Sequence, residues 1–214
     1  AAISACEKGG QWESALSLLQ DMHESGIAPS VISFNAAISA CEKGRQWQRA
    51  VDLLTKMRTA ALTPSVISFN AAMSACEKCG KSEHALSLLV QLQETGITPD
   101  VISFSAAISA CEKGWQWQNA LSKLEEMRMT GVSPDVISLN AAISACEKAG
   151  QWESAMSLLS EMSEDGEETD TISFNAAISA CEKSGHWQRA VSLLTKMRAE
   201  AVTPNVISFN AAIS

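Results

Sequence analysis

Apolar and polar positions recur along the chain with a period of 35 residues, and the segment Val31–Lys43 (VISFNAAISACEK) shows the pattern most clearly. Its apolar and small residues, from Ile32 to Cys41, are spaced as in a helix that buries one side. A fixed period of this size is typical of stacked repeats, in which each unit buries its apolar surface against its neighbours. Close copies begin at Val66, Val101, Val136 and Thr171, and a shorter copy begins at Val206.

The second half of each unit predicts another helix. An apolar stripe with helical spacing starts at Trp47 and ends at Met57, which indicates an amphipathic helix. One position beyond this helix carries all the prolines of the chain, and proline there stops a helix and favours an extended connection. These prolines are Pro29, Pro64, Pro99, Pro134 and Pro204.

Glycine marks the ends of both predicted helices. A two-residue slot after the first helix contains at least one glycine in every unit, such as Gly44, and glycine is the usual residue at a helix end. The second helix is predicted to end near Gly26, Gly96, Gly131 or Gly166, with Ala61 and Ala201 as less favourable substitutes.

Helix, tight turn, helix and proline-marked turn together predict an all-α fold. We expect an α-solenoid, wound as a right-handed superhelix, of stacked 35-residue helix-turn-helix repeats. Residues 1–214 are predicted to form a single repeat array and to be a fragment of a longer protein. The predicted full repeats are 31–65, 66–100, 101–135, 136–170 and 171–205, and the partial ones are 1–30 and 206–214.

Composition restricts the function classes only weakly. The chain is 46% hydrophobic and carries a net charge of −8, which argues mildly against a partner held by bulk charge alone. It has no run of about 18 apolar residues, so we expect no membrane span.

Six of the seven cysteines share one repeat position. Helices in a stack lie about 8–10 Å apart, beyond the roughly 7 Å that a disulfide can bridge between Cα atoms. We therefore expect these cysteines to be small buried apolar side chains. Cys76 and Cys79 form a Cys-x-x-Cys, but there is no second pair to complete a zinc site. The six are Cys6, Cys41, Cys76, Cys111, Cys146 and Cys181.

Tryptophan opens the second helix in five units, and packing between adjacent helix pairs explains these copies more simply than stacking on bases. They are Trp12, Trp47, Trp117, Trp152 and Trp187, whereas Trp115 lies off the pattern and is expected to be exposed. The three histidines occupy three different repeat positions, and the recurring serines have no base or orienting partner in the sequence. We predict no metal site, no cofactor and no catalytic residue, and thus no enzymatic activity in these residues.

The repeat resembles that of the pentatricopeptide repeat family, a 35-residue helical hairpin. The sequence pattern of a unit in that family is Val-x-Thr-Tyr-Asn-x-Leu-Ile, then Cys-Lys, then Ala-Leu near Met, then Gly-x-x-Pro-Asp. One unit matches through Val101-Ile102-Ser103-Phe104, Ile108, Cys111, Lys113, Ala120-Leu121, Met127 and Gly131-Val132-Ser133-Pro134-Asp135. The tetratricopeptide pattern instead requires 34 residues and a tyrosine, and this chain contains no tyrosine.

The resemblance implies that the chain binds single-stranded RNA with one base per repeat, a known mode of helical-repeat recognition. In the family, the fifth and last residues of a unit choose the base, and the second residue sandwiches it. The fifth positions are Asn35, Asn70, Ser105, Asn140, Asn175 and Asn210. The last positions are Ser30, Ser65, Asp100, Asp135, Asp170 and Asn205. The sandwiching positions are Ile32, Ile67, Ile102, Ile137, Ile172 and Ile207.

The pairs resemble combinations that imply the site 5′-C-U-G-U-(C/U)-3′. Asn35 with Ser65 is similar to a cytosine reader, and Ser105 with Asp135 is similar to a guanine reader. Asn70 with Asp100, and Asn140 with Asp170, are similar to uracil readers. Asn175 with Asn205 is similar to a pyrimidine reader.

The last residues also have a purely structural interpretation, because Ser, Asp and Asn before a helix are what an N-cap requires. The asparagine column is harder to explain by structure alone, since asparagine is a mediocre helix former. An amide has both donors and an acceptor, which suits the edge of a pyrimidine.

A lysine ends the first helix of each unit. Positive charge is favourable at a helix C-terminus, and in the family this lysine contacts phosphate. A glutamate precedes each lysine, but neighbours on a helix point about 100° apart, so we expect the lysines to line one track. The column consists of Lys8, Lys43, Lys78, Lys113, Lys148 and Lys183.

The family resemblance places the protein in a mitochondrion or chloroplast, in RNA editing, splicing, processing or stability. A rival hypothesis is a helical scaffold that binds proteins and has no nucleic-acid role. Protein partners at the outer face, and a catalytic domain outside these residues, are left open by the sequence.

Overall fold

The computed structural model describes residues 2–164 and 169–213, and every regular element in these ranges is a helix. The all-α helical-repeat solenoid predicted from the sequence is confirmed, whereas the single array and the handedness of its superhelix stay predictions. The predicted helix end at Gly166 lies outside the described residues.

The first helices of the units are α1 (Ala2–Lys8), α3 (Val31–Lys43), α5 (Val66–Lys78), α7 (Val101–Lys113), α9 (Val136–Lys148), α11 (Thr171–Lys183) and α13 (Val206–Ile213). The second helices are α2 (Trp12–Glu24), α4 (Trp47–Thr59), α6 (Ser82–Glu94), α8 (Trp117–Met129), α10 (Trp152–Glu164) and α12 (Trp187–Ala199).

A capping box starts the first helix of a unit. Asp135 accepts a hydrogen bond from the Ser138 N–H at 2.8 Å, and the Ser138 hydroxyl accepts one from the Asp135 N–H at 3.0 Å. Asp170 and Ser173 form the same box in front of α11. The residues that end each unit therefore act as N-caps, as the structural interpretation of the sequence predicts.

The second helices end on residues with left-handed backbone. Gly26, Gly96 and Gly131 have φ between 69° and 78° at this position, and glycine adopts such angles without steric cost. Ala61 and Ala201 occupy the same position with φ of 55° and 59°, where their Cβ atoms are disfavoured. The prediction that alanine is the less favourable residue here thus has a structural reason.

We expect Ala61→Gly to raise the stability of the protein by about 0.5–1 kcal/mol, because it removes the left-handed penalty at a smaller cost in backbone entropy. Urea unfolding of the variant and the parent measures this difference. The adjacent Ala60 has φ of −81°, so Ala60→Gly is the matched control and is expected to destabilise the protein. If the urea concentration at the unfolding midpoint fell in both variants, the result would contradict backbone strain at Ala61.

Tryptophans at the start of second helices, such as Trp12 and Trp152, pack on the following unit. A Cβ added to Gly44 would lie 2.3 Å from Trp12 Cδ1, so glycine at this position admits the indole ring. The ring centroid of Trp152 lies 4.3 Å from that of His186, and the Arg189 guanidinium lies 4.0 Å from the Trp152 centroid. These contacts confirm the packing role of the column rather than base stacking.

Two tryptophans are largely exposed. Trp115 is 70% exposed, as predicted from its place outside the column. Trp187 belongs to the column but is 63% exposed, so its predicted packing is wrong.

The chain divides into two compact units, residues 1–110 and residues 111–214. In the first unit, α3 packs against α1, α2, α4 and α5, and α5 also packs against α4 and α6. In the second, α9 packs against α8, α10 and α11, and α11 also packs against α10, α12 and α13. Within each unit the first helices form one layer and the second helices pack onto it. Phe69, Phe104 and Phe174 are among the largest fully buried side chains.

The cysteines behave as buried apolar residues. Five of the six that share a repeat position are buried and free, whereas Cys6 and Cys79 are half-buried. Burial raises the pKa of Cys41 to about 11 and that of Cys76 to about 12, so these thiols stay protonated at neutral pH. Cys79 donates to the backbone carbonyl of Arg45 at 3.2 Å, which gives it a structural role.

Candidate nucleic-acid interface

A column of isoleucines lies at the second position of the first helices and faces solvent. In the first compact unit Ile32, Ile67 and Ile102 are 75%, 63% and 62% exposed. Their counterparts in the second unit are similarly exposed, and they are Ile137, Ile172 and Ile207. Two residues later in the helix, a phenylalanine or leucine is buried in most of the repeats, so the isoleucine is the large apolar residue that this end of the helix presents outwards. An apolar side chain repeated at one exposed position is available to contact a ligand.

The fifth residue of a repeat lies beside the last residue of the same repeat. The Asn70 amide donates from Nδ2 to both carboxylate oxygens of Asp100, at 3.0 and 3.3 Å. Asn70 is only 8% exposed, so the direction of its amide is set by these protein contacts. Asn70 and Asp100 are therefore hydrogen-bonded to each other in the protein alone.

Two pairs in the second compact unit have the same geometry. Asn140 Nδ2 donates to both carboxylate oxygens of Asp170 at 3.3 Å, and Asn175 Nδ2 donates to Asn205 Oδ1 at 3.3 Å. Asn140 Oδ1 is buried and has no hydrogen-bond partner among the described residues. An amide acceptor therefore remains unused in the predicted second uracil reader.

Asn35 and Ser65 are joined in a different way. No direct hydrogen bond links them in the described part of the chain; instead, the Ser68 hydroxyl donates to Asn35 Oδ1 at 2.6 Å and lies 3.2 Å from the Ser65 hydroxyl. The predicted cytosine reader is thus assembled through a third residue.

The remaining predicted reading residues are placed as follows. Ser105 is 7% exposed in α7, and its hydroxyl donates to the Val101 carbonyl at 2.7 Å. Asp135 caps α9, in the other compact unit, so the combination of Ser105 with Asp135 stays a prediction. Ser30 caps α3 and Asn210 lies on α13, and both belong to partial repeats.

The carboxyl group of Asp100 is held in its charged form. Burial by itself would raise its pKa, but hydrogen bonds from the Ser103 N–H, the Asn70 amide and the Ser103 hydroxyl outweigh burial and lower it below the usual value. Asp100 is therefore a carboxylate at neutral pH and can only accept hydrogen bonds. This fixes the NH₂ group of Asn70 on the side of Asp100.

The third residue of the repeat is a site residue that the sequence interpretation missed. The Ser103 hydroxyl donates to Asn70 Oδ1 at 2.6 Å, and the Ser208 hydroxyl donates to Asn175 Oδ1 at 2.5 Å. These serines are 0% exposed, as are Ser68, Ser138 and Ser173. Their regular recurrence beside the asparagine column was visible in the sequence, but the bond spans 33 residues and joins different repeats.

The predicted phosphate-contacting lysines form ion pairs with glutamates of the preceding repeat. Lys43 Nζ lies 3.2 Å from Glu7 Oε1, and Lys78 Nζ lies 2.7 Å from Glu42 Oε1. Each of these two lysines therefore lies beside a glutamate of the preceding repeat, a contact that comparing neighbours on one helix could not reveal. Two further pairs lie in the second compact unit, Lys148 with Glu112 and Lys183 with Glu147.

These pairs leave the lysines accessible. The side chains of Lys43 and Lys183 are 41% and 43% exposed, and ion pairs at such exposure contribute about 0–1 kcal/mol. A lysine can therefore exchange its glutamate for a phosphate at small cost. Lys8 and Lys113 also end their first helices and are exposed.

Among residues 2–164 and 169–213, none of the helices is long and apolar enough to cross a membrane. The same residues contain no group of three or more metal-ligating side chains placed to hold an ion.

Family models match most of the chain. The model of the pentatricopeptide repeat domain matches residues 2–46 and 17–79, and that of the pentatricopeptide repeat-containing protein matches residues 73–197. No curated protein sequence matches the chain.

Solved structures with the same fold include PPR10 from maize, a pentatricopeptide repeat protein. It is 27% identical, with a TM-score of 0.75, over 99% of this chain and 30% of PPR10. The structure of PPR10 with an 18-nt psaJ RNA element has a TM-score of 0.80 at 24% identity, over 99% of this chain and 32% of that one. The tRNA-bound PPR domain of Arabidopsis thaliana protein-only RNase P 1 has a TM-score of 0.71 at 17% identity, over 87% and 95% of the two chains. The present chain thus spans about a third of the length of PPR10.

Proposed function

Because the chain belongs to the pentatricopeptide repeat family, we propose that it binds single-stranded RNA selectively, with one base at each repeat. The base lies between the exposed isoleucines of neighbouring repeats. The fifth and last residues recognise its edge, and the lysine column contacts the phosphates.

One observation carries this proposal: a solvent-exposed isoleucine recurs next to a polar pair that is already hydrogen-bonded. Ile67 is 63% exposed three residues before Asn70, whose amide is held by Asp100. An apolar clamp beside a fixed hydrogen-bonding edge suits a planar base, which has apolar faces and a polar rim. The RNA complex of maize PPR10 supports RNA as the ligand class.

The proposed site is 5′-C-U-G-U-(C/U)-3′, in the order of the repeats. Asn35 and Ser65 bind the first base, Asn70 and Asp100 the second, and Ser105 and Asp135 the third. Asn140 and Asp170 bind the fourth, and Asn175 and Asn205 bind the fifth. The family resemblance supplies these assignments, and the hydrogen bonds within three of the pairs are consistent with them.

We also propose a cellular role and location for the protein. One of the similar structures is the PPR domain of protein-only RNase P 1 in complex with tRNA. A role in organellar RNA processing, editing or stability is what the family resemblance implies. A mitochondrion or chloroplast is proposed from this context alone. We assign no catalytic activity to the residues described.

Fluorescence anisotropy with the pentamer 5′-C-U-G-U-C-3′ in neutral flanks tests the base assignments. We expect it to bind about tenfold or more tightly than a variant with uracil at the third base, since one well-placed base contact contributes about 1–3 kcal/mol of discrimination. Equal affinities would contradict base reading. Absence of binding to either RNA would contradict RNA binding and favour the protein-binding scaffold.

A further inference from the structure

The buried hydroxyl of Ser68, at the third position of its repeat, fixes the orientation of the Asn35 amide in the preceding repeat, and we infer that Ser68 is a specificity-determining residue. It is a positioning residue, since it acts on the base only through the asparagine. This inference rests on the proposed RNA binding and deepens it, because it names a residue that holds a base-reading amide in one orientation.

Each serine has only one proton to donate. The Ser68 hydroxyl accepts from the Ser65 N–H at 3.0 Å and donates to Asn35 Oδ1 at 2.6 Å. Because Ser68 is 0% exposed, water cannot replace either bond. The Oδ1 atom of Asn35 is thereby held towards the protein, and the NH₂ group is directed away from Ser68.

The direction of the amide matters because cytosine and uracil have opposite polarity on their pairing edges. Cytosine presents an acceptor at N3 and a donor at N4, whereas uracil presents a donor at N3 and an acceptor at O4. An amide turned by 180° exchanges its donor and acceptor, and with them its preferred pyrimidine. A group that fixes the amide therefore contributes to selectivity without touching the RNA.

The need for the serine differs between repeats. Asp100 is a carboxylate that only accepts, so it holds the NH₂ group of Asn70 even without Ser103. Ser65 can donate or accept, and no direct bond from it to Asn35 is present in the described residues. Ser68 is therefore the group that sets the direction of Asn35, whereas Ser103 repeats what Asp100 already does.

Three alanine variants separate orientation from capping. Ser33→Ala, Ser68→Ala and Ser103→Ala all remove the hydroxyl that accepts the N-cap N–H of a first helix. Among the described residues, Ser33 bonds only to Ser30, so Ser33→Ala is the control for capping alone. Ser68→Thr keeps the hydroxyl, and threonine is the residue of the family pattern at this position.

The readout is the affinity for RNA with cytosine at the base assigned to Asn35, divided by the affinity for the same RNA with uracil there. We expect Ser68→Ala to lower this ratio about fivefold, the effect of one hydrogen bond, while Ser68→Thr retains it. Ser33→Ala is expected to leave this ratio unchanged. Ser103→Ala is expected to change the ratio of affinities for cytosine and uracil at the base assigned to Asn70 by less than about twofold. A Ser68→Ala protein that binds both RNAs more weakly but with the parental ratio would overturn the inference and leave a capping role only.

A measurement without RNA distinguishes failure of the inference from failure of the proposed function. The side-chain NH₂ signals of Asn35 in ¹⁵N–¹H spectra report whether its amide has one orientation. We expect the two NH₂ hydrogens of Asn35 to have chemical shifts far from those of an unstructured asparagine in the parent and in Ser68→Thr, and to move towards the unstructured values in Ser68→Ala. Unchanged Asn35 signals in Ser68→Ala would overturn the inference whatever the RNA result, whereas a parent that does not distinguish cytosine from uracil would overturn base reading by Asn35.

Discussion

Exchanging Asn70 and Ser105 is expected to move the guanine preference from the third base of the bound RNA to the second. The double variant Asn70→Ser, Ser105→Asn converts the second repeat into a Ser/Asp combination and the third into an Asn/Asp combination. The preferred site then becomes C-G-U-U-(C/U) instead of C-U-G-U-(C/U). The two side chains are 8% and 7% exposed, so each enters an environment of similar burial, and the composition of the chain is unchanged.

Binding of both proteins to both RNAs gives a cycle in which each protein is the control for the other. Because one base contact contributes about 1–3 kcal/mol of discrimination, we expect each protein to prefer its own RNA by about 100-fold over two altered bases. Parental preference in the exchanged protein, with its helical content intact, would contradict recognition by the fifth residue.

Replacing Ile32, Ile67 and Ile102 together by alanine is expected to weaken RNA binding about 100-fold without lowering the stability of the fold. Each substitution removes apolar contact with a base worth about 1 kcal/mol if some 40 Å² is covered, and the three contributions add. The side chains are 62–75% exposed in the protein alone, so the folded state loses little packing.

The control for this variant is Ile27→Ala with Val90→Ala. These side chains are 56% and 45% exposed but lie outside the isoleucine column. We expect the control to bind RNA as the parent does and both variants to unfold at nearly the parental urea concentration. Similar losses of affinity in the two variants would show that exposed apolar area in general, and not the column, determines binding.

The starts of the helices could be predicted from local sequence. Val31 begins α3 because Pro29 and Ser30 precede it, and Trp47 begins α4 because an apolar stripe starts there. Capping, proline and helical spacing act over a few residues, so a single unit contains the information. The repeat then supplies the same boundaries again in each copy.

The contacts that build the site could not be predicted in this way. The Ser68–Asn35 and Lys78–Glu42 bonds span 33 and 36 residues, and they arise only when one repeat is packed on the next. Their partners were identified in the sequence as separate columns. How far the columns approach one another depends on the distance and rotation between stacked helices, which the period alone does not fix.

Sequence-selective recognition of RNA by consecutive repeats is tested most directly by selecting bound RNA from a random single-stranded pool. We predict enrichment of C-U-G-U followed by a pyrimidine, in the 5′ to 3′ direction and without gaps. Recovery of RNA with no common pentamer, or with one whose guanine does not occupy the third place, would contradict one base per repeat in this order.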